Sequence, residues 1–237
     1  VPVNLVLLLP EDFTGPDRVR LAGRRLEHVA RVHRAQAGDT LAVGLLDGNL
    51  GRGRVLRLDA GALELDVTLD QPPPPKLPLT LVLALPRPKV LNRTLAAATS
   101  LGAARICLVN AWKVEKSYWK SPRLDPDNLR LQRLLGLEQA RDTRMPELTL
   151  HRLLRPFAED ELPGLVRGTL ALVAHPGAPE PCPRAVPGPV TLVIGPEGGF
   201  LPAEVALLER AGCRAVNLGE RILRVETAVA ALAGRIF

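Results

Sequence analysis

Cysteine, histidine, lysine and aromatic residues are all scarce in this chain of 237 residues, and each scarcity removes a class of chemistry. The three cysteines, Cys107, Cys182 and Cys213, are odd in number and widely spaced, which argues against a disulfide framework and for a reducing compartment. The cytoplasm is the expected location. The four histidines, His28, His33, His151 and His175, make no HxxxH pair and no cysteine lies in a CxxC, so no metal site is expected. There is no GxSxG elbow, Walker loop or GxGxxG fingerprint, and no cysteine pairs obviously with a histidine. The apolar opening, residues 1–9, is broken by Pro2 and Asn4 and is far shorter than the ~20 residues that span a bilayer. It also lacks a basic leader and a small-residue cleavage site, so neither a membrane segment nor a secretion signal is expected.

What is present is the material of a globular chain, 46% hydrophobic and 24% charged, enough for one large domain or two small ones. Five of the 31 basic residues are lysine, at positions 76, 89, 113, 116 and 120, which leaves 26 arginines. An arginine excess suits phosphate oxygens, but genome composition or heat adaptation produces it too. Its position says more. Residues 76–155 hold fifteen basic and six acidic side chains, whereas the segments on either side are slightly acidic. Within that middle third lie Trp112, Tyr118 and Trp119, which are all of the chain's tryptophan and tyrosine. Cations interleaved with aromatic faces are what a groove for unstacked nucleotides requires, since phosphates neutralise the first and bases stack on the second. A solvated basic face with two half-buried indoles is the other reading.

The run Gln-Pro-Pro-Pro-Pro-Lys-Leu-Pro at 71–78 cannot enter a helix or a central strand, because proline fixes φ and removes a donor. The boundaries expected from it are a first domain over 1–71, a proline-rich linker over 72–78 and a second domain over 79–237. Upstream, short apolar runs at 40–46 and 53–58 and the alternating 62–67 are punctuated by Gly-Asp, Asp-Gly-Asn and Asp-Ala-Gly, the pattern of a small β barrel. Residues 23–34 have room for one short helix carrying His28, Arg31 and Arg34. Downstream, continuous apolar strands at 79–85, 105–109, 169–174, 190–194 and 214–218 alternate with helical stripes at 88–101, 126–140, 202–212 and 225–236. That alternation predicts an α/β domain with a mostly parallel, covered sheet.

Three strand ends draw attention, because α/β folds bind ligands beyond the carboxyl ends of their strands. Strand 190–194 runs into Gly195-Pro196-Glu197-Gly198-Gly199-Phe200. Strand 214–218 runs into Gly219-Glu220-Arg221-Ile222-Leu223-Arg224, with Glu226 and Thr227 just inside the next helix. Strand 169–174 runs into His175-Pro176-Gly177. Taken singly, each is compatible with an ordinary turn, burial of Ile222 and Leu223, and a Glu226 that merely favours the helix dipole. Taken together, they predict an apolar slot lined by main-chain groups and suited to an adenine ring. Glu138, Asp142 and Glu147 are expected to pair with arginines rather than to form a catalytic dyad, and His175 to be a loop residue rather than a base.

The stretch Leu-Val-Ile-Gly-Pro-Glu-Gly-Gly-Phe at 192–200, then Glu204, then Leu-Gly-Glu-Arg-Ile-Leu-Arg-Val-Glu-Thr-Ala at 218–228, resembles the RsmE branch of the SPOUT methyltransferases. His28, Arg34 and Gly38-Asp39 look like the family's HxxxVxRxxxGD stretch, Leu101-Gly102 like its ELG element, and Glu138-Gln139 with Arg144 and Pro146 like its EQ...R.P segment. The chain departs from the family pattern at Ser100, at Arg141-Asp142 and across 112–120. The resemblance implies a PUA-like β-barrel RNA-binding domain followed by an α/β SPOUT domain with a C-terminal trefoil knot, and a homodimer. It implies S-adenosylmethionine as cofactor, held by His175, Gly195, Pro196, Glu197, Gly198, Gly199, Leu218, Gly219, Ile222, Leu223 and Thr227. The implied activity is N3-methylation of a uridine in 16S ribosomal RNA of the small ribosomal subunit, the family's uracil(1498)-N(3) reaction. Methylation of another RNA position or a ribose 2′-oxygen, and a non-catalytic ribosome-assembly module, are the alternatives. Arg31, Arg34, Lys116, Arg123, Arg141 and Arg144 are the candidate RNA contacts. Because the N3 proton of uracil is weakly acidic, a cation that stabilises the resulting anion would speed transfer, and Arg224 is the candidate.

Overall fold

The computed structural model of the protein describes residues 5–237, so part of the apolar opening discussed above, residues 1–4, lies outside the described residues. The chain forms two compact units, one running to Pro75 and including Leu134–Met145, the other made of Lys76–Arg133 and Pro146–Phe237.

In the first unit the short alternating runs become strands β1 (Val6–Leu8), β2 (Phe13–Gly15), β3 (Arg18–Leu21), β4 (Thr40–Leu45), β5 (Leu50–Leu58) and β6 (Leu63–Gln71). They make one six-stranded sheet in the order β1-β4-β5-β6-β3-β2, antiparallel except for the β1–β4 pair. The two-residue period sorts β6: Leu63, Leu65 and Val67 are buried, while Glu64, Asp66 and Thr68 take the other face. There Asp66 stands opposite both Arg18 and Arg54, and Glu64 opposite Arg20, so many of this unit's arginines have carboxylates as cross-strand neighbours. The helix expected over 23–34 is shorter and broken. Helix α1 (Gly23–His28) passes into a π turn at Val29–His33, and Arg34 ends it in the left-handed region at φ 50°.

The second unit is a six-stranded sheet, all parallel, built from β7 (Leu77–Ala84), β8 (Ala103–Val109), β9 (Glu147–His151), β10 (Leu170–Ala174), β11 (Val190–Ile194) and β12 (Arg214–Val216). The order is β12-β10-β11-β7-β8-β9. Every residue of β11 is buried, as its uninterrupted Val-Thr-Leu-Val-Ile requires of a strand covered on both faces. The helices are α2 (Pro88–Ser100), α3 (Pro126–Ala140, whose residues from Leu134 on belong to the first unit), α4 (Leu154–Pro156), α5 (Leu162–Val166), α6 (Pro202–Arg210) and α7 (Val225–Ile236), with a π turn at Phe157–Glu161 joining α4 to α5. Strand β9 and the broken helix α4 to α5 were not expected from the sequence. The first is a five-residue strand at the sheet edge, and the second is interrupted by Pro156 and Pro163, so neither shows a sustained period. Leu77 and Pro78, assigned to the proline run, belong to β7, because a register shift between Leu77 and Thr80 spares the ladder the missing donor.

Residues 134–145 pack with the first unit for identifiable reasons. Leu134 and Leu137 are buried with Leu5 and Leu7, and Glu138 receives both guanidinium nitrogens of Arg24, at 2.7 and 2.8 Å. Thr143 donates to the carbonyl of Gly48, and the Met145 amide donates to Asp47. Glu147 pairs with Arg105 at 2.6 Å within the second unit. Glu138 and Glu147 are thus structural partners of arginine, and Asp142, buried, accepts the main-chain amide of Arg144.

All three cysteines are buried, and burial pushes the Cys213 thiol up to about 12 and raises those of Cys107 and Cys182. An unfolded thiol ionises near ~8.5, so above that pH the unfolded chain releases a proton that the folded chain keeps. Stability should therefore fall as pH rises from ~8.5 toward 12, by at most about 1.4 kcal/mol per pH unit for each such thiol. Melting temperatures across pH 8 to about 10.5 should drop less steeply in Cys213→Ala than in the wild type, and thiol reagents should label the protein only on unfolding.

Candidate functional site

Neighbouring strands β12, β10 and β11 end side by side, and a cavity of about 320 Å³ opens beyond their last residues, Val216, Ala174 and Ile194. The three loops singled out in the sequence form its wall. His175, Gly195, Pro196, Glu197, Gly198, Gly199, Leu218, Gly219, Ile222 and Leu223 all line it. Two candidates do not. Thr227 is exposed on the first turn of α7, where Val225 and Ala228 reach the cavity in its place. Arg224 caps the same helix and is exposed. Its neighbours Leu223 and Val225 are in the wall, so it lies one residue from the cavity lining on either side.

The loop at 195–200 has no sheet ladder to follow and is held from outside. Leu201 donates its amide to one oxygen of Glu204 at 2.8 Å, and the other oxygen accepts the Trp112 amide at 2.7 Å. The Arg87 amide donates to Glu197 at 3.0 Å, and the Lys113 ammonium donates to the Gly198 carbonyl at 2.6 Å. The two adjacent glycines serve different ends. Gly199 sits at φ 70° with nothing within 4 Å of a would-be Cβ, so it is there for backbone conformation. Gly198 has no such φ, but a Cβ there would lie 2.8 Å from Cδ of Lys113.

The loops after β10 and β12 are stitched together by Asn217. Its amide nitrogen donates to the carbonyls of Ala178 and Glu180, its side-chain oxygen accepts the Gly219 amide, and its main chain pairs with the segment around Pro181. His175 accepts the Gly177 amide on Nδ1 at 3.1 Å, which leaves it organising its own turn. Ile222 and Leu223 remain exposed rather than buried, Ile222 to 80%, as an apolar rim over the cavity. Glu226 does stand in the first turn of α7, where it also faces Arg93 at 3.7 Å. Lys113, Asn217 and Phe200 were missed as cavity residues. Phe200 is the last residue of the first motif and Asn217 borders the second, so position was a usable signal; Lys113 lies some eighty positions away and had none.

The three aromatics of the basic segment separate in space. Trp119 is in the core, with its indole nitrogen donating to Asn110 at 2.9 Å and the Arg152 guanidinium 5.4 Å above its ring, and Tyr118 is packed against the same core. Of the three, Trp112 alone presents its face, 79% exposed beside Lys113. Lys116 and Arg123 are exposed on the two 3₁₀ turns that follow in the second unit. Arg141 and Arg144 belong to the first unit, as do Arg31 in the π turn after α1 and Arg34 at its end, so the basic run of the sequence is divided between the two units. Among the described residues no group of three or more His, Cys, Asp or Glu is placed to hold a metal ion, and no helix is long and apolar enough to cross a membrane.

Residues 73–236 match the RNA methyltransferase domain family. The ribosomal RNA small subunit methyltransferase E of Treponema pallidum is 31% identical over 235 residues, covering 97% of this chain and 88% of the relative. That of Mycobacterium bovis is 32% identical over 221 residues, covering 88% and 82%. The crystal structure of the Neisseria gonorrhoeae ribosomal RNA small subunit methyltransferase E, bound to S-adenosyl methionine, superimposes with a TM-score of 0.75 at 23% identity, covering 98% of this chain and 95% of that one, which shows a shared fold. The mixed sheet, the parallel sheet and the cavity built from the two motif loops are thus those of a chain that belongs to the RNA methyltransferase family, in its ribosomal RNA small subunit methyltransferase E group.

Proposed function

We propose that the protein transfers a methyl group from S-adenosylmethionine to N3 of a uridine in 16S ribosomal RNA of the small ribosomal subunit, acting as a homodimer in the cytoplasm. The carrying observation is the cavity, in which loops read separately from the sequence form one wall at the carboxyl ends of three parallel strands. In the same reading residues 1–71 make a PUA-like β barrel and 79–237 a SPOUT domain that ends in a trefoil knot, with the proline-rich linker, read from the sequence as 72–78, ending where β7 begins at Leu77 and residues 134–145 belonging to the first compact unit. The stitching of 178–182 to 217 by Asn217, just where the chain leaves β12, is the contact expected of such a crossing.

The wall suits the cofactor. Apolar side chains such as Ile194, Leu218 and Leu223 offer faces to an adenine ring, and main-chain groups of 195–199 and 218–219 offer polar partners. When bound, S-adenosylmethionine supplies a methyl group activated by its sulfonium charge. The chain's part is to hold it, to exclude water with the apolar rim, and to lower the cost of ionising N3–H. Arg224, fixed at the start of α7, is the cation assigned to that last task, because a guanidinium stays charged while it stabilises an anionic uracil oxygen. Trp112, Lys116 and Arg123 in the second unit, and Arg31, Arg34, Arg141 and Arg144 in the first, are assigned to RNA, with the open indole face available to an unstacked base.

Mapping of modified nucleosides by mass spectrometry in ribosomal RNA from cells lacking the protein tests the reaction directly: loss of one N3-methyluridine is expected, and an unchanged pattern refutes it. Loss of a ribose methyl instead would assign the alternative oxygen chemistry. Gly198→Val should lower S-adenosylmethionine affinity at least about tenfold by calorimetry, since the new side chain displaces the loop, while the melting temperature falls by only a few degrees and the fold is kept. Arg224→Lys and Arg224→Ala should lower kcat while leaving RNA affinity within about threefold, the signature of a group acting chiefly in the transition state. A change confined to KM would make Arg224 a positioning contact. Lys116→Ala and Arg123→Ala should each make the salt dependence of RNA binding shallower by about one unit or less, with cofactor affinity unmoved.

A further inference from the structure

Lys113 belongs to neither motif, yet it reaches the cavity wall from the segment after β8. Its ammonium makes a 2.6 Å charge-assisted hydrogen bond to the Gly198 carbonyl. Its stem lies along the same residue, so that a Cβ on Gly198 would meet Cδ at 2.8 Å and Cβ at 3.2 Å. The main chain beneath this lysine is itself anchored, because the preceding amide, that of Trp112, is held by Glu204 of α6 at 2.7 Å. Lys113 therefore bears on the loop from a fixed base. The glycine at 198 is explained by this contact, since its φ is one that any residue adopts, whereas Gly199 beside it at φ 70° requires glycine on backbone grounds.

We infer that Lys113 is a positioning residue for the cofactor loop: its stem and ammonium clamp Gly198, and so set the shape of the cavity rim that S-adenosylmethionine must meet. The inference rests on the proposed function for the identity of the ligand, but the clamp itself is a property of two residues of this chain. It explains why Lys113, an exposed residue in a segment that departs from the family pattern, places its ammonium on the cofactor loop. It also separates the lysines of this segment by task, with Lys113 acting on the loop and Lys116 on RNA.

The two parts of the clamp are separable by substitution. Lys113→Met keeps most of the stem and removes the donor, while Lys113→Arg keeps a donor. Calorimetric titration with S-adenosylmethionine should show a Kd raised about five- to tenfold in Lys113→Met and within about threefold of wild type in Lys113→Arg. The KM for S-adenosylmethionine should rise with kcat at saturation retained, and the salt slope of RNA binding should match the wild type. Equal cofactor affinity in Lys113→Met and wild type overturns the clamp and leaves the proposed function standing. A shallower RNA salt slope with unchanged cofactor affinity also overturns it, by making Lys113 a phosphate contact. A wild type that binds no S-adenosylmethionine removes the proposed function instead, and a second measurement then tests the clamp without ligand. Gly198→Ala should lower the melting temperature by about 2–4 °C more in the wild-type background than in Lys113→Ala, because the obstruction is the lysine stem. Equal penalties in the two backgrounds overturn the proposal.

Discussion

A parallel sheet ends abruptly at its carboxyl edge, and the chain that leaves it carries main-chain donors and acceptors with no neighbouring strand to satisfy them. The cavity of this protein exists because that problem is solved by side chains rather than by further ladder. Glu204 spends one carboxylate on two amides, those of Leu201 and Trp112, and thereby fixes both the start of α6 and the segment that follows β8. Asn217 does the equivalent work for the loops after β10 and β12. With both sets of loops held by polar contacts at their bases, their middles can stay open, and residues 195–199 and 218–223 face one another across a space instead of collapsing into it.

The distribution of charge follows from packing. The first unit carries many arginines, yet on its outer sheet face Asp66 and Glu64 stand between Arg18, Arg20 and Arg54. Arg24 and Arg25 are committed to Glu138 and Asp12. Arginine here does structural work that lysine would do less well, since the Arg24 fork meets Glu138 with two parallel bonds. Exposed Lys116, Lys120 and Arg123 are of another kind, lying on 3₁₀ turns rather than in a ladder of opposite charge. Total basicity could not separate these two uses, and position along the chain did so only coarsely.

Legibility in the sequence tracked the range of the interaction concerned. The runs that became β8, β10 and β11 and helices α2, α3, α6 and α7 were readable to within two residues because burial on both faces, or on one stripe, writes a period into consecutive residues. The ends were less so: Arg34 stops the π turn after α1 by backbone conformation, and Pro78 enters β7 through a register shift, neither of which has a hydrophobic signature. The exposed Ile222 ran against its hydrophobicity, as residues at a ligand rim do.

The order of residues was enough to establish the two kinds of sheet, the arrest at the proline run, the two glycine-bearing motifs and the family to which they belong, because each is a local pattern of period, turn chemistry or spacing. It did not contain the splitting of the basic run, the division of labour among Trp112, Tyr118 and Trp119, the return of residues 134–145 to the first unit, or the reach of Lys113 onto Gly198. Those depend on which distant segments come together. A buried Leu137 beside Leu5, or an ammonium 2.6 Å from a carbonyl eighty-five residues away, is a fact of folding in three dimensions and leaves no trace in either neighbourhood of the chain.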